Sequence, residues 1–197
     1  MNQRSSGLAA RPGDLRTPGQ SPAEEPGAVQ ARQALRRLAS GVTVLTVNRG
    51  RRHGTTASAV ITVSRDPLVL GVCLSPSSSF AGMVRPVGRF TVNVLAAGQA
   101  PLAQRFADPD RPLGDAQFEG LDWSTDPLTG APLLDGCLAH LACRALDWHQ
   151  VGDHDLLLAE VLGGRHATGH PMIGFAGRIS DSTLTDPADP SPLSEVS

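Results

Sequence analysis

The sequence predicts a mainly β protein: a closed, mostly antiparallel barrel with a few short flanking helices. About seven runs of apolar and β-branched residues have the length of strands, and turns rich in Gly, Pro, Asp and Ser separate them. Only about two or three short segments have the apolar spacing of a helix. Because strands and helices do not alternate along the chain, parallel βαβ units are not expected.

The predicted strands are residues 42–47, 56–63, 68–74, 90–95, 138–148, 154–162 and 171–175. The third of these runs is continuously apolar, which predicts a fully buried strand. An arginine-rich turn, residues 49–52, joins the first two strands into a hairpin. Its arginines are expected to form a solvated tip, and the alternative is that they lie over an anionic cofactor or partner.

Helices are predicted at residues 28–39, where apolar side chains recur at helical spacing, and at residues 78–85 and 101–107. The last of these carries a proline in its first turn, where proline is tolerated. Between residues 108 and 129 the chain has many Asp, Pro and Gly residues, and we expect a long loop pinned by Phe118 and Trp123. Loops of this length inside a domain are usually functional or cover something.

The length of 197 residues suits one domain with a sizeable core, which we place at residues 28–180. Residues 1–27 and 181–197 are rich in Pro, Ser and other polar residues, and both are predicted to be disordered tails. The formal net charge of −2 argues against a nucleic-acid partner. No apolar run has the length of a membrane span, and residues 1–27 lack the apolar segment of a secretory signal.

The three cysteines are too few for a disulfide framework, so we expect a reduced, cytoplasmic protein. No Gly-x-Gly-x-x-Gly motif follows a strand, and neither a P-loop nor a nucleophile elbow is present. A nicotinamide cofactor, if used, is therefore not held on a Rossmann unit. His166 and His170 are four residues apart, but no third ligand is obvious, and no metal site is predicted.

Residues 53–80 carry the candidate site. Residues 55–59 are small and bear hydroxyl groups, so a flat ligand could lie close to their backbone. After the apolar strand come Ser75 and Ser77–Ser79, which open a short predicted helix. Serines at this position most often cap the helix. The same geometry, with free N–H groups at the positive end of the helix dipole, also binds phosphate, and both interpretations stay open on these residues alone.

A set of short motifs occurs in one order between residues 34 and 178. The motifs are Ala39-Ser40-Gly41-Val42-Thr43-Val44, Gly54-Thr55-Thr56-Ala57-Ser58-Ala59, Val72-Cys73-Leu74 with the serine run, Gly88-Arg89-Phe90-Thr91-Val92-Asn93-Val94-Leu95, Phe118-Glu119-Gly120-Leu121-Asp122-Trp123, Gly130-Ala131-Pro132-Leu133-Leu134 and Gly152-Asp153-His154. The ordered set resembles the flavin reductase-like family of FMN-binding split β-barrels. The resemblance implies an antiparallel, Greek-key-like split β-barrel.

By this resemblance the protein is an NAD(P)H-dependent flavin reductase. It would pass hydride from NADH or NADPH to FMN or FAD, and supply reduced flavin to a partner monooxygenase. The flavin carries the difficult chemistry, so small residues and backbone amides suffice for the site. The family also implies a homodimer.

The resemblance assigns residues to each part of the cofactor. Thr56, Ala57, Ser58 and Ala59 would line the flavin ring and ribityl chain, and Cys73, Leu74 and Ser75 would approach the ring from the neighbouring strand. Ser77 and Ser78, with the backbone at Ser79, would hold the phosphate, and Arg178 is the remaining cofactor-binding candidate. His154 would contact and orient the nicotinamide, with proton exchange as a further role. On the residues alone, a lone histidine at a strand start is more often structural.

Two departures from the family pattern involve three positions. Phe80 stands where the family commonly has a threonine that meets the phosphate, and Gly174 and Ile179 replace aromatic residues that flank the Gly-Arg pair. These differences motivate the alternative function: a flavin-binding or reshaped barrel without reductase activity, acting as an accessory protein or on another small-molecule substrate.

Overall fold

The structure, a computed structural model, describes residues 26–184, and most of both predicted tails lies outside these residues. Three α-helices lie in the described part of the chain: α1 (Pro26–Leu35), α2 (Ser79–Val87) and α3 (Ala100–Ala107). A 3₁₀ helix spans Gly114–Phe118. The strands are β1 (Ser40–Gly41), β2 (Thr43–Asn48), β3 (Arg52–Ala57), β4 (Val60–Arg65), β5 (Leu68–Leu74), β6 (Arg89–Val94), β7 (Trp123–Thr125), β8 (Pro132–Leu134), β9 (Ala139–Val151), β10 (His154–His166), β11 (Met172–Phe175) and β12 (Arg178–Asp181).

Seven of these strands form one antiparallel sheet in the order β3-β2-β6-β9-β10-β5-β4. A small sheet of β1, β11 and β12 and the pair β7–β8 lie outside it. Every strand pairing is antiparallel, and the mainly β class predicted from the sequence is confirmed.

The seven-stranded sheet is rolled into a barrel. Its two edge strands, β3 and β4, are joined by only two residues, Ser58 and Ala59. Such a connection spans at most about 11 Å. In a flat sheet, the edges of seven strands would lie about 29 Å apart. The sheet therefore curls until its edges meet beside residues 58–59, and the barrel is split between β3 and β4.

Two apolar cores hold this arrangement. The first lies inside the barrel under α2, where the rings of Phe80 and Phe90 meet edge to face at 5.7 Å. The second lies outside the barrel, where α3 and the long loop pack on the sheet through Phe106, Phe118 and Trp123. The loop of residues 108–129 is pinned by Phe118 and Trp123, as predicted.

The structure corrects the strand predicted at residues 56–63. It is two strands that pair with different neighbours, β3 with β2 and β4 with β5, and the break falls at the barrel split. The bounds predicted for β5 are confirmed, but its full burial is wrong. Cys73 is exposed because it points to the face opposite the barrel core, and Leu68, the first residue of the strand, is 54% exposed.

The ends of the domain also differ from the prediction. Helix α1 ends at Leu35, and Leu35 and Leu38 are exposed, so the apolar stripe predicted for residues 28–39 does not pack into a core. Strand β12 was missed; it pairs with β11, and its last residue is Asp181, at the predicted start of the C-terminal tail. The hairpin of β9 and β10 is longer than predicted on both sides of its turn.

Candidate functional site

The small-residue segment lies at the barrel split. Ala57 is buried at the end of β3, while Ser58 and Ala59 are exposed in the connection to β4. The carbonyl of Ala59 accepts a hydrogen bond from the N–H of Cys73 at 3.0 Å, which joins this connection to the end of β5. The Thr56 hydroxyl donates to the carbonyl of Ala103 on α3 at 2.7 Å, so it serves packing within the protein.

Cys73 and Leu74 point to opposite faces of the sheet, as neighbouring residues of a strand do. The Leu74 side chain is buried in the barrel core, whereas Cys73 lies on the uncovered outer face. A ligand on the outer face can therefore contact the side chain of Cys73, but it can reach Leu74 only through the backbone.

The N-terminus of α2 follows directly and is not capped by a side chain. Ser78 occupies the N-cap position, as the capping interpretation predicts, but its hydroxyl makes no cap hydrogen bond. The N–H groups in the first turn of a helix have no carbonyl partner within that helix. Ser75 and Ser77 lie in the approach to α2, with their hydroxyl oxygens 2.9 Å apart. Amide and hydroxyl groups thus remain available at the positive end of this helix dipole.

The aromatic ring of Phe80 does not occupy this helix end. Its side chain is fully buried against Phe90, so the residue contributes only its backbone N–H to the first turn of α2. The substitution relative to the family pattern removes one hydroxyl group and leaves the space open.

His154 lies at the same end of the barrel. The next residue, Asp155, is opposite Leu74 in the sheet, so the start of β10 lies beside the point where Ser75 leaves β5. The exposed ring of His154 donates from Nδ1 to a carboxylate oxygen of Asp153 at 2.9 Å, since a carboxylate can only accept. This hydrogen bond lowers the pKa of Asp153 below its usual value and leaves Nε2 of His154 free.

An ion pair fixes α2 against β10. Arg85, in the last turn of α2, donates to the carboxylate of Asp155 at 2.6 Å. The same guanidinium lies over the ring of Trp148, 4.0 Å from its centroid. Because Asp155 directly follows His154, this contact sets the position of the histidine relative to the helix that carries the serines.

Arg178 stands apart from this group within the chain. It begins β12, pairs in the hairpin with Phe175, and lines a shallow cleft together with Gln104 of α3. The structure therefore brings together Ala57–Ala59, Cys73, Ser75, Ser77–Ser79 and His154 at one end of the barrel, and leaves Arg178 in the second sheet.

A buried polar cluster near Ser79 was not foreseen. His53 on β3 is 3% exposed, and its Nδ1 lies 3.0 Å from Nε2 of Gln117. Burial, with the charges of Arg111 and Arg51 as smaller causes, lowers the pKa of His53 to about 4, so the ring is neutral at pH 7. Sequence reasoning missed the cluster because Gln117 comes from the long loop, 64 residues along the chain. The arginine-rich turn before His53 was the available signal.

The geometry fits a flat ligand with an anionic end. Small exposed residues at the barrel split allow close approach of a planar group, and an uncapped helix end with serine hydroxyls offers donors for an anion. No helix in the described part of the chain is long and apolar enough to cross a membrane. The site is thus a trough between Ala57–Ala59, Cys73 and the N-terminus of α2, on a mainly β protein built around a seven-stranded antiparallel sheet.

The comparisons with known proteins identify the family. The family model described as "Flavin reductase like domain" matches residues 35–181. An NADPH-flavin oxidoreductase of Streptomyces viridifaciens is 40% identical over 165 residues, which cover 83% of this chain and 85% of that protein. The chain belongs to the flavin reductase-like family, as the motifs predicted.

Two solved structures share the fold. BorF, the flavin reductase component of a bacterial two-component tryptophan halogenase, superposes with a TM-score of 0.74 at 31% identity, over 81% of this chain and 99% of BorF. SgcE6, an NADH:FAD oxidoreductase of Streptomyces globisporus C-1027 solved with NAD and FAD fragments, gives a TM-score of 0.73 at 31% identity, over 82% of this chain and 94% of SgcE6.

Proposed function

We propose that the protein is an NAD(P)H-dependent flavin reductase. It takes hydride from NADH or NADPH, passes it to FMN or FAD, and supplies reduced flavin to a separate monooxygenase. The observation that carries this proposal is the uncapped N-terminus of α2 beside the exposed small residues at the barrel split. The flavin and nicotinamide activities named for SgcE6 and for the Streptomyces viridifaciens relative support it.

The chain's contribution is binding and orientation. Thr56, Ala57, Ser58 and Ala59 form the wall against the flavin ring, with Cys73, Ser75 and the backbone of Leu74 at its neighbouring edge. Ser77 and Ser78, together with the first-turn amides from Ser79 onward, bind the phosphate. Bound flavin supplies an acceptor for hydride, which the protein itself lacks. Ser58 and Ala59 are exposed, so the nicotinamide can approach the ring from solvent.

His154 is the catalytic residue of this proposal. Its Nδ1–H is held by Asp153, so Nε2 is the atom that faces outward as a hydrogen-bond acceptor. In that state Nε2 can contact and orient the nicotinamide, and after protonation it can exchange a proton with the reduced flavin. The Arg85–Asp155 pair keeps the histidine at its place beside α2. Arg178 would join this site only as a contribution from the second subunit of a dimer.

The other components follow from the same proposal. The two-component halogenase that contains BorF supports a separate oxygenase as the consumer of reduced flavin. Cys73, Cys137 and Cys143 are all unpaired, which supports a reducing cytoplasmic location that cell fractionation would test. One of the two reasons for the alternative function, a barrel without reductase activity, no longer applies, because the side chain of Phe80 lies in the core.

The test of the function compares flavins that differ in their phosphate. The purified protein should oxidise NADH or NADPH when FMN or FAD is added. Replacing both Ser77 and Ser78 by Ala should raise the KM for FMN about a hundredfold or more, because hydrogen bonds to a charged group contribute about 1.5 to 3 kcal/mol each. The KM for riboflavin, which has no phosphate, should not change.

Ser124→Ala is the matched control, since this exposed serine lies on β7, away from the trough. An equal rise in the KM values for FMN and riboflavin would contradict the phosphate assignment. Tight flavin binding with no loss of NADH or NADPH absorbance would instead favour the non-reducing alternative.

The role proposed for His154 predicts that its removal affects nicotinamide binding and flavin binding differently. His154→Ala should raise the KM for NADH or NADPH more than it changes the Kd of flavin, because the ring contacts the nicotinamide. Steady-state kinetics and a flavin fluorescence titration measure the two quantities. His149→Ala, at another exposed histidine of the same hairpin, is the control. Equal losses for both ligands would argue against the role.

We further propose that the protein is a homodimer that covers the outer face of β4 and β5. On this face Ile61 is 59% and Val63 is 49% exposed, and both side chains lie over Gly71 of β5. Apolar patches of this kind are usually interaction sites. Sedimentation equilibrium should report twice the mass of one chain. Ile61→Glu should give single chains, whereas Leu113→Glu, at an exposed leucine elsewhere, should not. A monomeric wild-type protein would refute the dimer.

A further inference from the structure

The three arginines of the β2–β3 turn have different environments. Arg52 is neutralised by Asp115: its guanidinium lies 3.0 Å from the carboxylate, and it also stacks on Trp123. Arg49 is exposed at the tip of the turn. Arg51 lines a cavity of about 280 Å³ that also includes His53 and Ser79, and no carboxylate among residues 26–184 forms an ion pair with it.

Hydrogen bonding fixes the tautomer of His53. The N–H of Gly54 donates to Oε1 of Gln117 at 2.8 Å, so the other end of this amide must be its NH₂ group. That NH₂ donates to Nδ1 of His53, which is therefore the acceptor nitrogen of the neutral ring. The proton of the imidazole is on Nε2.

The Nε2–H of His53 is buried and has no hydrogen-bond partner in the described part of the chain. An unsatisfied buried donor of this kind costs about 1–3 kcal/mol, and native proteins rarely tolerate one. Nε of Arg111 is likewise buried and unpartnered, although Nη1 of the same residue donates to the carbonyl of Asp108. Arg51 and His53 thus bring an unpaired positive charge and a free buried donor to this cavity, and the charge of Arg111 also acts on His53, which suits an anion.

We propose that Arg51 and His53 form a second phosphate site, which takes a phosphate of the adenylate half of a dinucleotide. Ser79 connects the two sites, because it lies at the α2 N-terminus and also lines the cavity. The shared ligand chemistry is a phosphate attached to adenosine, and it has two sources: the adenylyl phosphate of FAD and the 2′-phosphate of NADPH. The identity of these dinucleotides rests on the proposed flavin reductase function.

Arg51→Gln tests the site by calorimetric titration, with Arg49→Gln in the same turn as the control. Four probes separate the sources: FMN, FAD, ADP and 2′,5′-ADP. If FAD is the source, Arg51→Gln should raise the ratio of the Kd for FAD to the Kd for FMN about tenfold, because a charge-assisted contact is lost. If NADPH is the source, the variant should raise the ratio of the Kd for 2′,5′-ADP to the Kd for ADP about tenfold. Arg49→Gln should change neither of these two Kd ratios.

A second variant removes the buried donor and keeps an aromatic ring at position 53. His53→Phe should raise the same Kd ratio that Arg51→Gln raises. Circular dichroism checks that the barrel remains folded. The proposal is overturned if Arg51→Gln changes neither ratio. It is also overturned if Arg51→Gln raises the Kd values for FMN and FAD by the same factor, since Arg51 would then act at the flavin's own phosphate. Failure of the flavin reductase function shows separately, as wild-type protein that binds no FMN.

Discussion

The two-residue connection between β3 and β4 is the constraint on which the rest of the structure depends. Because Ser58 and Ala59 join the opposite edges of a seven-stranded sheet, the sheet must roll until those edges meet. Only two small residues stand at this junction, and both are exposed. The closure brings the end of β3 to β4. The pairing of β4 with β5, continued by the hydrogen bond from the N–H of Cys73 to the carbonyl of Ala59, brings the end of β5 to the same place. The barrel split and the trough therefore lie together.

Helix α2 adds the proposed phosphate-binding end to this junction. Its apolar face, including Phe80 and Val84, packs into the barrel core, and that packing fixes the direction of the helix axis. The N-terminus then emerges beside the trough with its amides unpaired, while Arg85 at the other end holds the start of β10. Core packing and the proposed phosphate binding use the same nine-residue helix, and Phe80 can follow the serines without filling the helix end because its ring is in the core.

Patterns local in sequence predicted much of this. Alternating and apolar runs gave β5, α3 and the pairing of β9 with β10, and small residues followed by serines indicated the trough. The break at Ser58 could not be predicted, because residues 56–63 have strand character throughout and only the closure of the barrel interrupts them. The cluster of His53 and Gln117 was equally inaccessible, since it depends on where a long loop packs. The direction of the Phe80 side chain could not be predicted for a related reason, because packing in the core sets it.

A crystal structure of the protein soaked with FMN would show whether the flavin binds in the trough. We expect the flavin ring to lie against residues 57–59 and the end of β5, with its phosphate at the first-turn amides of α2 and the hydroxyls of Ser77 and Ser78. A phosphate bound elsewhere, or a trough that stays closed to FMN at saturating concentration, would contradict it.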